Sequence, residues 1–469
     1  MSVSAINTLP AQQQVSAVSA KRVVVLAVGT ALLLFLGLIY AYSVLLAPLK
    51  AEHNWPVSGM TLIFALSISS FTIGGLLAGQ IVRRKKTRAG FILGAAFLLA
   101  GFLGTAAATG DGSLVQVCVT YGVLASFGIG VVYNIVIPVV SWWFPDKPGL
   151  AQGVCLMGFG MGGFLLGPVI TDLYAKVAWR PVIALVGAVF AFIIVVCAFV
   201  IRVPRGEELG LSGDSAQDRG DHADRCTDKC SAASRMSADL ATSASTVRGS
   251  EACGLAARKS AVRESSPRVL GARESLVQMF HSPVFYLEFL FLFCVGSNGM
   301  GITGLGRELP LSLGVDDMAA ALIIGFVNIG SGFGRLGGGM LLDRLGSIRT
   351  MRGIAVIAML APLAMAASLA QVSVGLQLIA CLLFGLSWGA AIVTMPFIMR
   401  REWGQENLAQ NMAIVNTYSI FGSMVGSFGA GILAEACGSY MPVLAIMGAL
   451  AVVALLIVSR MGHLRKQRA

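Results

Sequence analysis

Twelve long apolar blocks, separated by short polar ones, run along this chain. Each is near the roughly 20 residues that cross a hydrocarbon layer as a helix. They fall at 23–47, 57–82, 89–109, 114–141, 149–173, 181–201, 284–306, 317–341, 351–370, 374–398, 409–434 and 441–459. Between the sixth and seventh, residues 202–283 are rich in Ser, Ala, Asp and Arg and read as a linker. The pattern predicts an all-α membrane protein of twelve transmembrane helices in two six-helix halves, 21–201 and 284–460. A disordered stretch, 1–20, would precede them and a tail, 461–469, would follow.

The eighth block organises the rest. It reads GFVNIGSGFGRLGGGMLLDRLG over residues 325–346 and carries Arg335 inside a glycine-laced apolar run. Asp343 and Arg344 mark its polar end, eight residues beyond Arg335, which at ~1.5 Å per residue is about 12 Å. A lone cation at that depth costs about 2.5–3.5 kcal/mol or more, so it must face the bundle interior or a wet cavity. A buried guanidinium in a cavity is a partner for an anion, and its planar fork matches a carboxylate at two points.

Composition agrees with the blocks. Of 469 residues, 56% are hydrophobic and 12% charged, and the mean hydropathy is +0.80. Soluble domains carry about 25% charged residues. The 56 glycines suit helices that pack closely in lipid. The net charge of +11 does not point to nucleic acid, because the basic residues gather at helix ends. Seventeen Lys and Arg, among them Arg83, Arg84, Lys85 and Lys86, fall in loops on the side of the amino terminus; Lys50, Lys176, Arg180 and Arg307 fall on the other. This bias places both termini and the linker in the cytoplasm.

The two halves echo each other. Gly75-Leu-Leu-Ala-Gly79 closes the second block and Gly339-Met-Leu-Leu-Asp343 the eighth, while Leu150-Ala-Gln152 opens the fifth and Leu408-Ala-Gln410 the eleventh. Repeated halves around a central site are the usual plan of secondary transporters. The run Gly339 to Gly346, with Asp343 and Arg344, resembles the G-x-x-x-D-R-x-G signature of the major facilitator superfamily. The first copy departs from it, with Gly79 and Gln80 where Asp and Arg are expected. Tyr40-Ala-Tyr42-Ser43, Pro48-Leu49 and Trp55, with Tyr133 and the run Trp143 to Gly153, resemble the oxalate:formate antiporter group.

The resemblance implies a secondary transporter of a small organic anion, a monocarboxylate or small dicarboxylate, moved by alternating access through exchange or proton symport. It puts Arg335 at the substrate-binding arginine of that group and of the monocarboxylate transporters, and it matches Tyr40 and Trp388 to aromatic positions of the pocket. It also puts Ser419 where the oxalate carrier has a lysine, and Ser331 where monocarboxylate transporters carry an aspartate. Asn416, Thr417, Tyr418 and Ser419 form the densest polar cluster of the eleventh block and are expected to replace the lysine with neutral donors. Arg335, Tyr133, Trp388, Tyr40, Asn416 and Ser419 are thus the expected binding residues, and Gly339, Asp343, Arg344 and Gly346 the expected conformational ones. An exporter of drugs or metabolites, a sugar-type carrier and a non-transporting membrane sensor remain alternatives.

Other signals are weaker. Glu288 reads as an acid favoured by the dipole at the start of the seventh helix, or as a proton carrier. Asp172, Arg307 and Glu435 read as charges at outer helix ends. His222, Cys226, Cys230 and Cys253 match no standard zinc spacing. No nucleophile–base set or phosphate loop stands out; Gly158 to Gly163 mimics a nucleotide fingerprint but lies within an apolar block. The chain is therefore expected to be no enzyme, to need no cofactor or metal, and to act as a monomer in a bilayer.

Overall fold

Hydropathy alone locates the helices. In a computed structural model of the chain, twelve helices among the described residues are long and apolar enough to cross a membrane: α1 Lys21–His53, α2 Val57–Arg83, α3 Thr87–Ala106, α4 Ser113–Trp142, α5 Ala151–Lys176, α6 Trp179–Val200, α7 Pro283–Leu305, α8 Asp317–Leu345, α9 Ser347–Gln371, α10 Val374–Trp403, α11 Asn411–Cys437 and α12 Met441–Leu464. The structure describes residues 11–110, 112–144, 148–204, 272–404 and 408–468. With no water in hydrocarbon, a spanning segment satisfies its backbone internally, and a helix does so with every bond inside the segment. Apart from the stretch between α6 and α7, the connections between these helices are short.

Three boundaries differ from the sequence reading. Helix is already formed from Ala11, within the stretch read as disordered; residues 11–20 hold no Gly or Pro to stop it. Helix α8 runs on to Leu345, so Gly339, Asp343 and Arg344 lie in its last turns, and Gly346 ends it at φ +76°, a left-handed geometry that suits glycine. A separate helix, Ala272–His281, precedes α7 within the stretch read as linker. His222, Cys226, Cys230 and Cys253 lie outside the described residues.

Several helices are interrupted. A 3-10 stretch, Gly37–Ala41, breaks α1. A π-helical stretch, Met424–Gly429, follows a two-residue turn at Asn416 and Thr417 in α11. The break in α11 has a local cause. The Thr417 hydroxyl donates to Ile414 O and the Ser419 hydroxyl to Asn416 O, both at 2.7 Å, and such bonds compete with the helical ladder.

The two halves, α1–α6 and α7–α12, meet along three seams. On the first, Ser419, Ser423 and Ser427 of α11 recur every four residues and face α2. Ser419 Oγ lies 2.6 Å from Thr72 Oγ1, Ser423 donates to Ala65 O at 3.1 Å, and Ser427 donates to Thr61 O at 3.0 Å. On the second, Tyr42 of α1 donates to Gly304 O of α7. Nearby, Lys50 pairs with Glu308 at 2.5 Å. Both seams lie toward the bundle end opposite the chain termini. The third seam, α5 against α8, is closed by glycine. A Cβ on Gly163 would meet Asn328 Nδ2 at 2.4 Å, and one on Gly325 would meet Phe164 Cδ2 at 2.7 Å. Two of the three expected outer-end charges pair within their own half: Asp172 with Lys176 at 2.7 Å and Arg307 with Asp317 at 2.8 Å.

Candidate functional site

Asn328, Ser331 and Arg335 lie on one face of α8, three and four residues apart. All three side chains are buried, Arg335 at 3% exposure. Asn328 Oδ1, Ser331 Oγ and Arg335 Nε make no hydrogen bond among the described residues. The face turns toward α5, where small residues make room for it: a Cβ on Gly160 would stand 3.2 Å from Arg335 Nη1. The fingerprint-like run Gly158 to Gly163 is thus the seat of the polar face of α8. Arg335 Nη1 donates across this seam to Leu156 O. No carboxylate pairs with Arg335 among the described residues.

Around the guanidinium stand aromatic groups from both halves. Its charge reaches the hydroxyls of Tyr40, Tyr133 and Tyr418. The ring of Tyr40, in the 3-10 stretch of α1, meets Trp388 of α10 edge to face at 5.3 Å and Phe159 of α5 at 5.1 Å. Tyr133 of α4 packs on Phe159 at 4.6 Å and on Phe71 of α2 at 5.0 Å. Glycines of α7 hold two of these rings in place. A Cβ on Gly299 would strike Trp388 Cγ at 2.5 Å, and one on Gly296 would strike Tyr418 Cε2 at 2.6 Å. The Trp388 indole N–H makes no hydrogen bond among the described residues. One cation, three phenols and an indole therefore share one apolar-walled centre. Such a set can hold a small ligand with concentrated negative charge and a few acceptor atoms.

The structure brings together four residues singled out in the sequence: Arg335, Tyr40, Tyr133 and Trp388. It places the other two elsewhere. Ser419 spends its hydroxyl on Thr72 and on Asn416 O in the α2–α11 seam. Asn416 forms the turn that breaks α11, and its carbonyl accepts from Ser419. Tyr418, a member of the same polar cluster, interacts electrostatically with Arg335; one step along a helix turns a side chain by about 100°, so Tyr418 and Ser419 face different ways. Phe71 and Phe159 carried no polar signal that could single them out. Gly339, Asp343, Arg344 and Gly346 lie beyond the site, at the end of α8 nearest the chain termini.

Glu288, near the start of α7, is fully buried at 0% exposure, and its Oε1 accepts from Thr394 Oγ1 of α10 at 2.7 Å.

Known proteins share this fold. The bacterial Spinster structure, a homologue of the human lysosomal transporter in an inward-facing and unoccupied conformation, superimposes with a TM-score of 0.62 at 14% identity, over 93% of this chain and 95% of that one. At that identity the likeness is one of fold. The chain is 21% identical over 396 residues to the uncharacterised MFS-type transporter YhjX of Escherichia coli, covering 83% of this chain and 82% of the relative. It is 29% identical over 172 residues to the oxalate:formate antiporter of Oxalobacter formigenes, covering 36% of this chain and 39% of that protein. A profile of the Major Facilitator Superfamily matches residues 26–427. With twelve helices in two halves around a central polar site, the chain belongs to the major facilitator superfamily and is a multi-pass membrane protein of transporter type.

Proposed function

We propose that this transporter carries a small organic anion, a mono- or small dicarboxylate, across the cell membrane by alternating access. One observation carries the reading: Arg335 is buried between the halves with no carboxylate partner among the described residues. A cation so placed is stabilised by an anion that arrives and leaves. The Leu156 carbonyl and the α8 dipoles hold it in the meantime. An incoming carboxylate draws the Nε–Nη edge of the guanidinium into a two-point pair. The hydroxyls of Tyr40, Tyr133 and Tyr418 and the indole N–H of Trp388 are placed to complete its shell. Because ligands of the pocket come from α1 and α4 on one side and α8, α10 and α11 on the other, binding couples directly to the rocking of the halves.

The anion is exchanged for another or accompanied by a proton. In the second case Glu288, buried and bonded by Thr394, is the carboxyl suited to carry it. The excess of Lys and Arg on the side of the termini puts that end in the cytoplasm.

The test is the thermal stability of the purified protein in the presence of formate, acetate, lactate, oxalate, xylose or uridine. A ligand bound only by the folded state raises the midpoint by mass action. The carboxylates should raise it and the neutral compounds should not. Stabilisation by xylose or uridine, with none by any carboxylate, would replace the anion reading with the sugar-type one.

A further inference from the structure

A second charged site lies at the bundle end nearest the termini, away from the substrate centre. A cleft of about 530 Å³ opens there between the start of α9 and the ends of α8, α10 and α12, and Arg349, Arg352, Arg401 and His463 line it. The three arginines are exposed and make no ion pair among the described residues. Two of them stand in the first turns of α9, with no acid in its first turn and no side-chain cap at Gly346. A helix start carries partial positive charge and normally attracts acids; here it is surrounded by guanidiniums. An anion lying in the cleft would complement both the helix start and the guanidiniums.

The same face continues into the membrane. Arg349, Arg352, Val356, Leu360 and Leu363 follow one another at three- and four-residue steps and so share one stripe of α9. The last three are exposed. On α12, Val452 and Leu456 are exposed in the turns below His463. Gly462 lets the two helices approach at the cleft: a Cβ there would come within 3.3 Å of Arg352 Nη2. Cations at the interface above an exposed apolar stripe fit a molecule with a phosphate at one end and hydrocarbon at the other.

We propose that this cleft seats the phosphate headgroup of an anionic membrane lipid, its acyl chain lying along the α9–α12 stripe. The proposal does not depend on the identity of the substrate or on which side of the membrane the termini face. A lipid held there would staple α8, α9, α10 and α12 of one half together at the end that carries Asp343 and Arg344.

The test is retention of phosphatidylglycerol by the purified full chain in zwitterionic micelles, read by native mass spectrometry with phosphatidylcholine as the competing lipid. The parent should retain phosphatidylglycerol selectively. The variant Arg349→Gln/Arg352→Gln/Arg401→Gln should retain on the order of tenfold less. A control with the same loss of charge at the same end, Arg83→Gln/Arg84→Gln/Lys86→Gln, should retain as much as the parent. Gly462→Val, which crowds the cleft and leaves its charge intact, should also lower retention, and it decides the question if the triple variant does not fold. Equal loss in the control would reduce the effect to general surface charge and overturn the site. Displacement of the lipid by millimolar inorganic phosphate or glycerol phosphate would show a soluble-anion site and overturn the lipid assignment.

Discussion

Arg335 Nη1 of α8 donates to the carbonyl of Leu156 in α5, a residue 179 positions earlier and in the other half of the molecule. The central cation is thus tied to the opposite half by a bond to a neutral backbone group, which a charged ligand can replace. Arg335→Ala should abolish carboxylate binding, a loss on the order of 2–5 kcal/mol. Arg335→Lys should weaken it severely as well, because an ammonium keeps the charge without the planar fork. Calorimetric titration of both variants with the best carboxylate checks this, after each is shown to fold and insert. Unchanged affinity in Arg335→Ala would remove the anion-carrier mechanism.

The glycine seats make a graded prediction. Gly160→Ala brings a methyl to 3.2 Å from Arg335 Nη1, a contact that small shifts absorb, whereas Gly299→Ala brings one to 2.5 Å from Trp388 Cγ. Gly160→Ala should lower affinity a few-fold. Gly299→Ala should displace the indole, change tryptophan fluorescence and lower affinity further. Equal, negligible effects of the two would mean that neither side chain touches the substrate.

Ser419 should act on conformation and not on substrate. Its hydroxyl is bonded within the α2–α11 seam, and interhelical hydrogen bonds in membranes contribute about 0.6 kcal/mol each. Replacing Ser419, Ser423 and Ser427 together by Ala should favour opening of the end opposite the termini while affinity stays within a few-fold. Accessibility of a cysteine placed at Thr61 reports the opening. A large loss of affinity from Ser419→Ala alone would return Ser419 to the binding site.

Asp343 and Arg344 occupy the last turn of α8, beyond the site. Asp343→Asn should slow transport in proteoliposomes with affinity kept within a few-fold. Normal turnover with a large loss of affinity would show the pocket to lie at that end.

Orientation can be read from one native thiol. Cys437 ends α11 opposite the termini and is exposed, whereas the other five described cysteines are buried. A membrane-impermeant maleimide added to intact cells should label Cys437, and Cys437→Ser should abolish the labelling. Labelling of Cys437 only after permeabilisation would invert the topology.

Some of this was legible from the residues alone. Membrane insertion depends on transfer free energies that sum along a segment, so all twelve spans, the six-plus-six layout and the anomaly of a charge at Arg335 are local properties of the chain. Family resemblance singled out Tyr40, Tyr133 and Trp388 as expected binding residues. What the tertiary structure alone decided was direction and partnership. Ser419 is bonded into the seam with α2 while the Tyr418 ring packs on Gly296 of α7, because a turn at Asn416 and Thr417 and the packing of α11 on α2 set which way each side chain looks. Gly160, Gly163, Gly296 and Gly299 are set apart by what approaches them, and that comes from another helix: α8 for the first two, α11 and α10 for the others. The carbonyl of Leu156 and the cleft of Arg349, Arg352 and Arg401 join residues far apart in sequence. A linear pattern records how much each residue prefers lipid or water; which residues meet depends on helix phase and crossing, and those are fixed only when the helices pack.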